Sequence, residues 1–98
     1  MEKLLGLIGL AKRAGKVVGG EFAVSAAVKD GSAKLVIIAD DASDNTKKSM
    51  KNSCKYYNVK YVEFSDIYSL GRYTGSDARA LIAITDSGFA KAISEKID

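Results

Sequence analysis

Two unbroken apolar runs constrain this chain more than any other feature. KLVIIAD, residues 34–40, and RALIAITD, residues 79–86, each hold five apolar residues in a row between polar ends. A strand with one wet face alternates apolar and polar side chains. A short continuous run instead predicts a central strand covered on both faces. Two such strands need a cover above and below, and the remaining sequence supplies it as helices.

KLLGLIGLAKR, residues 3–13, places Leu4, Leu7, Ile8 and Ala11 at helical spacing and reads as a largely buried helix. Gly6 and Gly9 each cost that helix roughly 1 kcal/mol relative to alanine, and they permit close packing against a sheet. Gly15 is a natural stop, with Lys12 and Arg13 in the last turn, where the helix dipole favours cations. KVV is long enough only for a brief strand. Gly19 and Gly20 then turn the chain into a helix over 20–30, with Phe22, Val24, Ala27 and Val28 as its apolar stripe and Gly31 as its end.

A third helix lies within 40–58. Ser43 is its expected N-cap, Asp44 stands in its first turn, and Met50, Cys54 and Tyr57 form its inward stripe. KYVEF, 60–64, reads as a strand. SDIYSLGRYTG reads as a short helix capped by Ser65 and ended between Gly71 and Gly75. After the strand at 79–86, Asp86 or Ser87 caps a last helix, GFAKAISEKI. The order αβαβαβαβα predicts an α/β fold with a mixed sheet and helices on both of its faces. At 98 residues, 47% of them apolar, one domain spanning 1–98 with a filled core is expected.

Composition removes several functions. The chain has no histidine, so imidazole bases, histidine ligands and histidine-containing triads are excluded. Its one cysteine, Cys54, allows no intrachain disulfide and fits a reducing cytoplasm. Neither a calcium-binding loop nor a phosphate-binding loop spacing is present. The apolar start, LLGLIGLA, is too short to span a bilayer and lacks a cleavage site, so a soluble cytoplasmic protein without a membrane partner is expected. Net charge is +3, and residues 1–39 alone carry six basic against three acidic residues. The excess lies around LAKRAGKVVGGE, residues 10–21.

That stretch is the first candidate site. Free N–H groups at a helix start, reached past glycines, suit phosphate or base contacts. Lys12, Arg13 and Lys16 suit the backbone of a nucleic acid, and Glu21 suits acceptance from base amines. The same residues also make an ordinary turn, with Glu21 satisfying the helix dipole. The second candidate is LGRYTGSDAR, residues 70–79, a polar loop with two glycines before a buried strand. There Arg72 suits phosphate and Tyr73 suits base stacking, and a helix cap with a turn is the alternative. Lys47, Lys48, Lys51 and Lys55 read as a solvated face of the third helix, with Asp44 a local partner. Cys54 reads as buried filler, and Asp40 and Asp41 as turn residues. GLIG, 6–9, matches the GxxG pattern of KH domains, but it lies in an apolar helix rather than a basic loop.

LGLAKRAGKVVGGE, KLVIIADDASDNTKK, YYNVKYVEF, LGRYTG and ALIAITDSGFAKAI occur in this order along the whole chain. Together they resemble the kink-turn-binding ribosomal-protein family of archaeal L7Ae and eukaryotic L30e, and within it the bacterial YlxQ group. The resemblance implies a three-layer α/β/α sandwich around a mixed four-stranded sheet. It implies no catalysis and no cofactor. It also implies binding at sheared G·A pairs of a kinked RNA, in or near the ribosome. By position it assigns RNA contact to Gly19, Gly20, Glu21, Phe22 and Ala23, and to Leu70, Gly71, Thr74, Gly75, Ser76, Asp77 and Ala78. Lys12, Arg13, Lys16 and Arg72 join these from the residue chemistry. The strong kink-turn binders carry Asn-Glu where this chain has Phe22 and Ala23, and a lysine where it has Ala26. Each lost base contact of that kind is worth about 1–3 kcal/mol, so weaker or altered RNA recognition is expected. The alternative function is a protein-interaction module on the same fold, anchored by Phe22. RNA, with ribosomal proteins beside it, is the expected partner of a monomer.

Overall fold

A computed structural model describes residues 2–97. Its elements are α1 (Glu2–Arg13), β1 (Val17–Gly19), α2 (Glu21–Asp30), β2 (Leu35–Ile38), α3 (Asp44–Tyr57), β3 (Tyr61–Glu63), α4 (Ile67–Tyr73), β4 (Leu81–Ile84) and α5 (Ser87–Ile97). The strands lie in the order β1-β4-β2-β3. β4 pairs antiparallel with both β1 and β2, while β2 and β3 run parallel. α1 packs with α4 and α5, and α2 packs with α3, which makes the three layers of the expected α/β/α sandwich.

The two apolar runs occupy the two central strands. All eight residues of β2 and β4 are buried, because each strand has a neighbour on both sides and helices on both faces. The edge strands β1 and β3 are only partly buried. Ile8 of α1, Ile93 of α5 and Leu70 of α4 fill one side of the core with no exposed surface, and Val24 of α2 and Cys54 of α3 are equally enclosed.

Several local expectations change. Asp66, not Ser65, caps α4: its Oδ1 accepts from the Ser69 N–H at 2.7 Å. Ser65 instead takes a left-handed φ of 64° that delivers the chain to the cap. Asp86 caps α5, its Oδ2 accepting from the Phe89 N–H at 2.9 Å, and Ser87 is the first helical residue. Ser43 caps α3 as expected, accepting from the Thr46 N–H at 3.1 Å.

The helical stripes also need correction. Phe22 is not part of the α2 stripe. It lies two residues before Val24, about 200° around the helix, and stands 89% exposed. Tyr57 ends α3 beyond the buried stripe of Met50 and Cys54. Its ring meets that of Tyr56 edge-on at 4.8 Å rather than the core. Gly9 faces α4 rather than the sheet, 3.5 Å from the Tyr73 carbonyl for a Cβ built there, and Gly6 faces open space.

Two measurements check this core. Ile37→Ala removes a wholly buried side chain from β2 and is expected to cost about 2–5 kcal/mol, read as a lower urea midpoint with an unchanged slope. Burial pushes the Cys54 thiol up to about 11, so at pH 8 it is protonated and a poor nucleophile. A colorimetric thiol reagent is expected to label Cys54 only after denaturant is added.

Candidate nucleic-acid interface

The β1–β4 ladder joins the two candidate corners. Gly19 lies opposite Ile82, and the Gly20 N–H donates to the Leu81 carbonyl at 3.0 Å. The start of α2 is thereby held against the entry to β4, where the 70–79 loop ends. Gly20 has φ 95° and precedes a helix start without a side-chain cap. The amides of Glu21, Phe22 and Ala23 therefore head α2 with no capping side chain in front of them.

The contact across this joint belongs to Arg79. A Cβ built at Gly19 would lie 2.7 Å from Arg79 Nε and 3.0 Å from Cδ, and one at Gly20 would lie 3.6 Å from Nη1. The guanidinium is thus laid across backbone that only glycine leaves bare. The Arg79 N–H donates to the Ile67 carbonyl at 3.0 Å, which ties the same residue to the start of α4.

α4 is fixed from both sides of its first turn. Asp41 Oδ1 accepts from the Ile67 N–H at 2.9 Å, in addition to the Asp66 cap. Asp41 is a turn residue, as expected, and its carboxylate is occupied in holding α4. At the other end, the N–H groups of Thr74 and Ser76 both donate to the Gly71 carbonyl, at 3.1 and 2.8 Å. The Thr74 hydroxyl donates to the Leu70 carbonyl at 2.7 Å. A Cβ at Gly71 would fall 2.6 Å from the Ala78 backbone, so only glycine lets the loop fold back this closely.

This arrangement divides the sequence-predicted residues by depth. Leu70, Gly71 and Thr74 are buried and shape the loop from within. Arg72, Gly75, Asp77 and Ala78 are exposed and Ser76 is half-buried. Arg72, Gly75, Ser76 and Asp77 line, with Tyr68, an open depression of about 700 Å³. On the α2 side Glu21 and Phe22 are exposed, and Gly19, Gly20 and Ala23 are half-buried. Tyr73 does not stand free to stack, because its ring lies 3.7 Å from a Cβ at Gly9 of α1. Tyr68, one turn earlier on α4, is the exposed tyrosine, at 76%.

The basic residues of the first candidate stretch lie elsewhere. Lys12 and Arg13 end α1, and the Lys16 carbonyl accepts from the Thr85 N–H at the far end of β4. Four residue steps of extended chain, about 13 Å, separate Lys16 from Gly20. Lys12, Arg13 and Lys16 therefore flank the joint rather than belong to it. The joint carries two arginines, Arg72 and Arg79, and two carboxylates, Glu21 and Asp77.

On α3 the lysine face is partly neutralised from β3. Lys47 and Lys51 reach Glu63 at 3.1 and 2.5 Å, so Lys47 pairs across to the sheet edge rather than with Asp44. The hydrogen bonds from Lys51 and then Lys47 hold the Glu63 carboxyl below its ordinary range. Among the described residues no group of three histidine, cysteine or acidic side chains is placed to hold a metal, and no helix is long and apolar enough to cross a membrane.

Arg79 and Tyr68 are not found by reading the sequence. Arg79 is the last residue of the candidate loop and reads there as the polar end of a strand run, and Tyr68 falls inside a short helix. The signal that could have found Arg79 is the Gly19-Gly20 pair, since two bare residues at a strand edge invite a long side chain from a neighbour. The loop geometry is open to a direct check. Gly71→Ala forces Ala78 away and is expected to cost about 1–3 kcal/mol, read as a lower melting temperature, whereas Gly75→Asn is expected to be mild because Gly75, at φ 76°, meets no neighbouring atom.

Known proteins share this fold. The model of the Ribosomal protein L7Ae/L30e/S12e/Gadd45 family matches residues 2–94. The RNA-binding protein YlxQ of Bacillus subtilis (strain 168) is 44% identical over 92 residues, covering 94% of this chain and 92% of that one. Its namesake from Enterococcus faecium is 40% identical over 97 residues, covering 99% and 93%. A protein of unknown function from Bacillus halodurans C superposes with a TM-score of 0.94 at 36% identity, over 98% of this chain and 97% of that one. The Giardia lamblia 15.5kD RNA binding protein superposes with a TM-score of 0.81 at 26% identity, over 96% and 83%. With a family match along nearly its whole length and a relative above 40% identity, this chain belongs to the L7Ae/L30e/S12e/Gadd45 ribosomal-protein family.

Proposed function

We propose that this protein is a non-catalytic RNA-binding protein that takes a structured, kinked RNA at the joint between α2 and the 70–79 loop. The carrying observation is the hydrogen bond from Gly20 to Leu81, which makes one surface of two glycine-shaped corners far apart in sequence. Relatives that are named RNA-binding proteins support the same reading. Gly19 and Gly20 leave room for Arg79 beside the head of α2, and Glu21 accepts from base amines. Arg72, Gly75, Ser76, Asp77 and Ala78 cover the kink, while Leu70, Gly71 and Thr74 keep that loop in shape. Lys12, Arg13 and Lys16 hold phosphates of the flanking helix. Free RNA exchanges between extended and bent forms, and the protein favours the bent one by its difference in affinity. The protein works as a monomer in the cytoplasm, on ribosomal or similarly folded RNA beside ribosomal proteins.

A second reading rests on Phe22, 89% exposed at the head of α2 where the family's strong binders carry a polar residue. An aromatic there suits a protein partner, and a pulldown that survives ribonuclease would favour that reading.

The experiment is a titration against a kink-turn RNA and a control lacking its G·A pairs, each at two salt concentrations. Tighter binding to the kink-turn is the expected result, and no binding to either RNA refutes the function. Replacing Lys12, Arg13 and Lys16 together with alanine is expected to weaken binding and to flatten the slope of log K against log salt by about 2–3. An unchanged slope removes those three residues from the interface.

A further inference from the structure

Arg79 is held in a way that its surroundings do not explain. Its side chain lies over Gly19 and Gly20, yet its guanidinium makes neither an ion pair nor a hydrogen bond with the described residues. The residue is half-buried, and its guanidinium keeps its donors for an acceptor from outside the described residues. Its position is enforced by the chain on three sides. Gly19 gives it room, its own N–H is tied to Ile67, and Gly20 is tied to Leu81. Two residues beyond Gly20 stands Phe22, its ring almost fully in solvent.

We infer that Arg79 and Phe22 form a nucleotide-binding pair, in which the Arg79 guanidinium takes an RNA phosphate or guanine edge and the Phe22 ring stacks on an unpaired base. The inference rests on the RNA-binding reading and deepens it. The planar fork of an arginine matches phosphate oxygens and the guanine edge, which the point charge of a lysine does not. An aromatic face accepts any base, because every base has a π-face. The pair therefore supplies affinity that Phe22, Ala23 and Ala26 cannot supply as base-edge readers. It also changes what is read: a bent backbone and an unstacked base count, and the identity of that base counts little. Two arginines and two carboxylates, Arg79, Arg72, Glu21 and Asp77, give this surface no formal net charge, so binding by the pair depends on fit more than on bulk charge.

The test measures affinity for a kinked hairpin RNA with a panel of variants, each checked for an unchanged circular dichroism spectrum. Arg79→Ala and Phe22→Ala are each expected to weaken binding by roughly tenfold or more. Arg79→Lys restores little, because the charge returns without the fork. Gly19→Ala keeps every charge and displaces Arg79, and it is expected to weaken binding by a comparable factor. Phe22→Trp introduces a sole tryptophan, since the chain has none, and its fluorescence is expected to be quenched when RNA binds. If the native protein binds the RNA while Arg79→Ala and Gly19→Ala bind equally well, the inference falls and the RNA-binding function stands. The inference falls in the same way if Phe22→Trp binds RNA without any change in emission. If the native protein binds no RNA, and Phe22 instead governs capture of a protein after ribonuclease, both fall together.

Discussion

β4 is hydrogen-bonded along both edges, to β2 inside the sheet and to β1 at its margin. The β2 side buries both apolar runs against each other and provides the core. The β1 side does something different. Its last residue is a glycine, and the next glycine still donates to Leu81 before the chain turns into α2. That extra bond fixes where α2 starts relative to the loop that feeds β4. Remove the pairing and the two corners become unrelated pieces of surface.

The loop itself depends on α4, a helix of seven residues that could not persist alone. It persists because two carboxylates hold its first turn, Asp41 from the end of β2 and Asp66 from its own cap. Leu70 anchors it in the core, and Gly71 lets Ala78 close over it. The exposed members of the loop are therefore presented on a rigid base. Any partner that meets this loop finds a surface already ordered, and the entropy of forming it is lost during folding rather than on contact.

Much of this architecture is legible in the sequence. The unbroken runs at 34–40 and 79–86 read as central strands, and the glycines at 15, 19, 20 and 31 separate the first helices correctly. Caps are less legible. Ser65 and Asp66 are adjacent, and both are good capping residues, so sequence does not choose between them. Phe22 is misplaced because an apolar residue near an apolar stripe is counted into it unless the helix start is known to a residue. Tyr73, read from the sequence as free to stack, is packed against α1 while Tyr68 is exposed, because exposure depends on which side of α4 meets α1. Lys12, Arg13 and Lys16 are close to Gly20 along the chain, but an extended strand carries them away from it.

The sequence by itself determined the order of the elements, a central sheet covered on both faces and the absence of imidazole chemistry. These follow from hydrophobic period and from residue inventory, both of which are local quantities. The tertiary structure alone decided that Arg79 crosses the sheet edge to lie on Gly19. It alone turned Phe22 to solvent and placed the basic residues beside the joint rather than in it. Those outcomes depend on strand register and helix phase, where one residue moves a side chain to the opposite face.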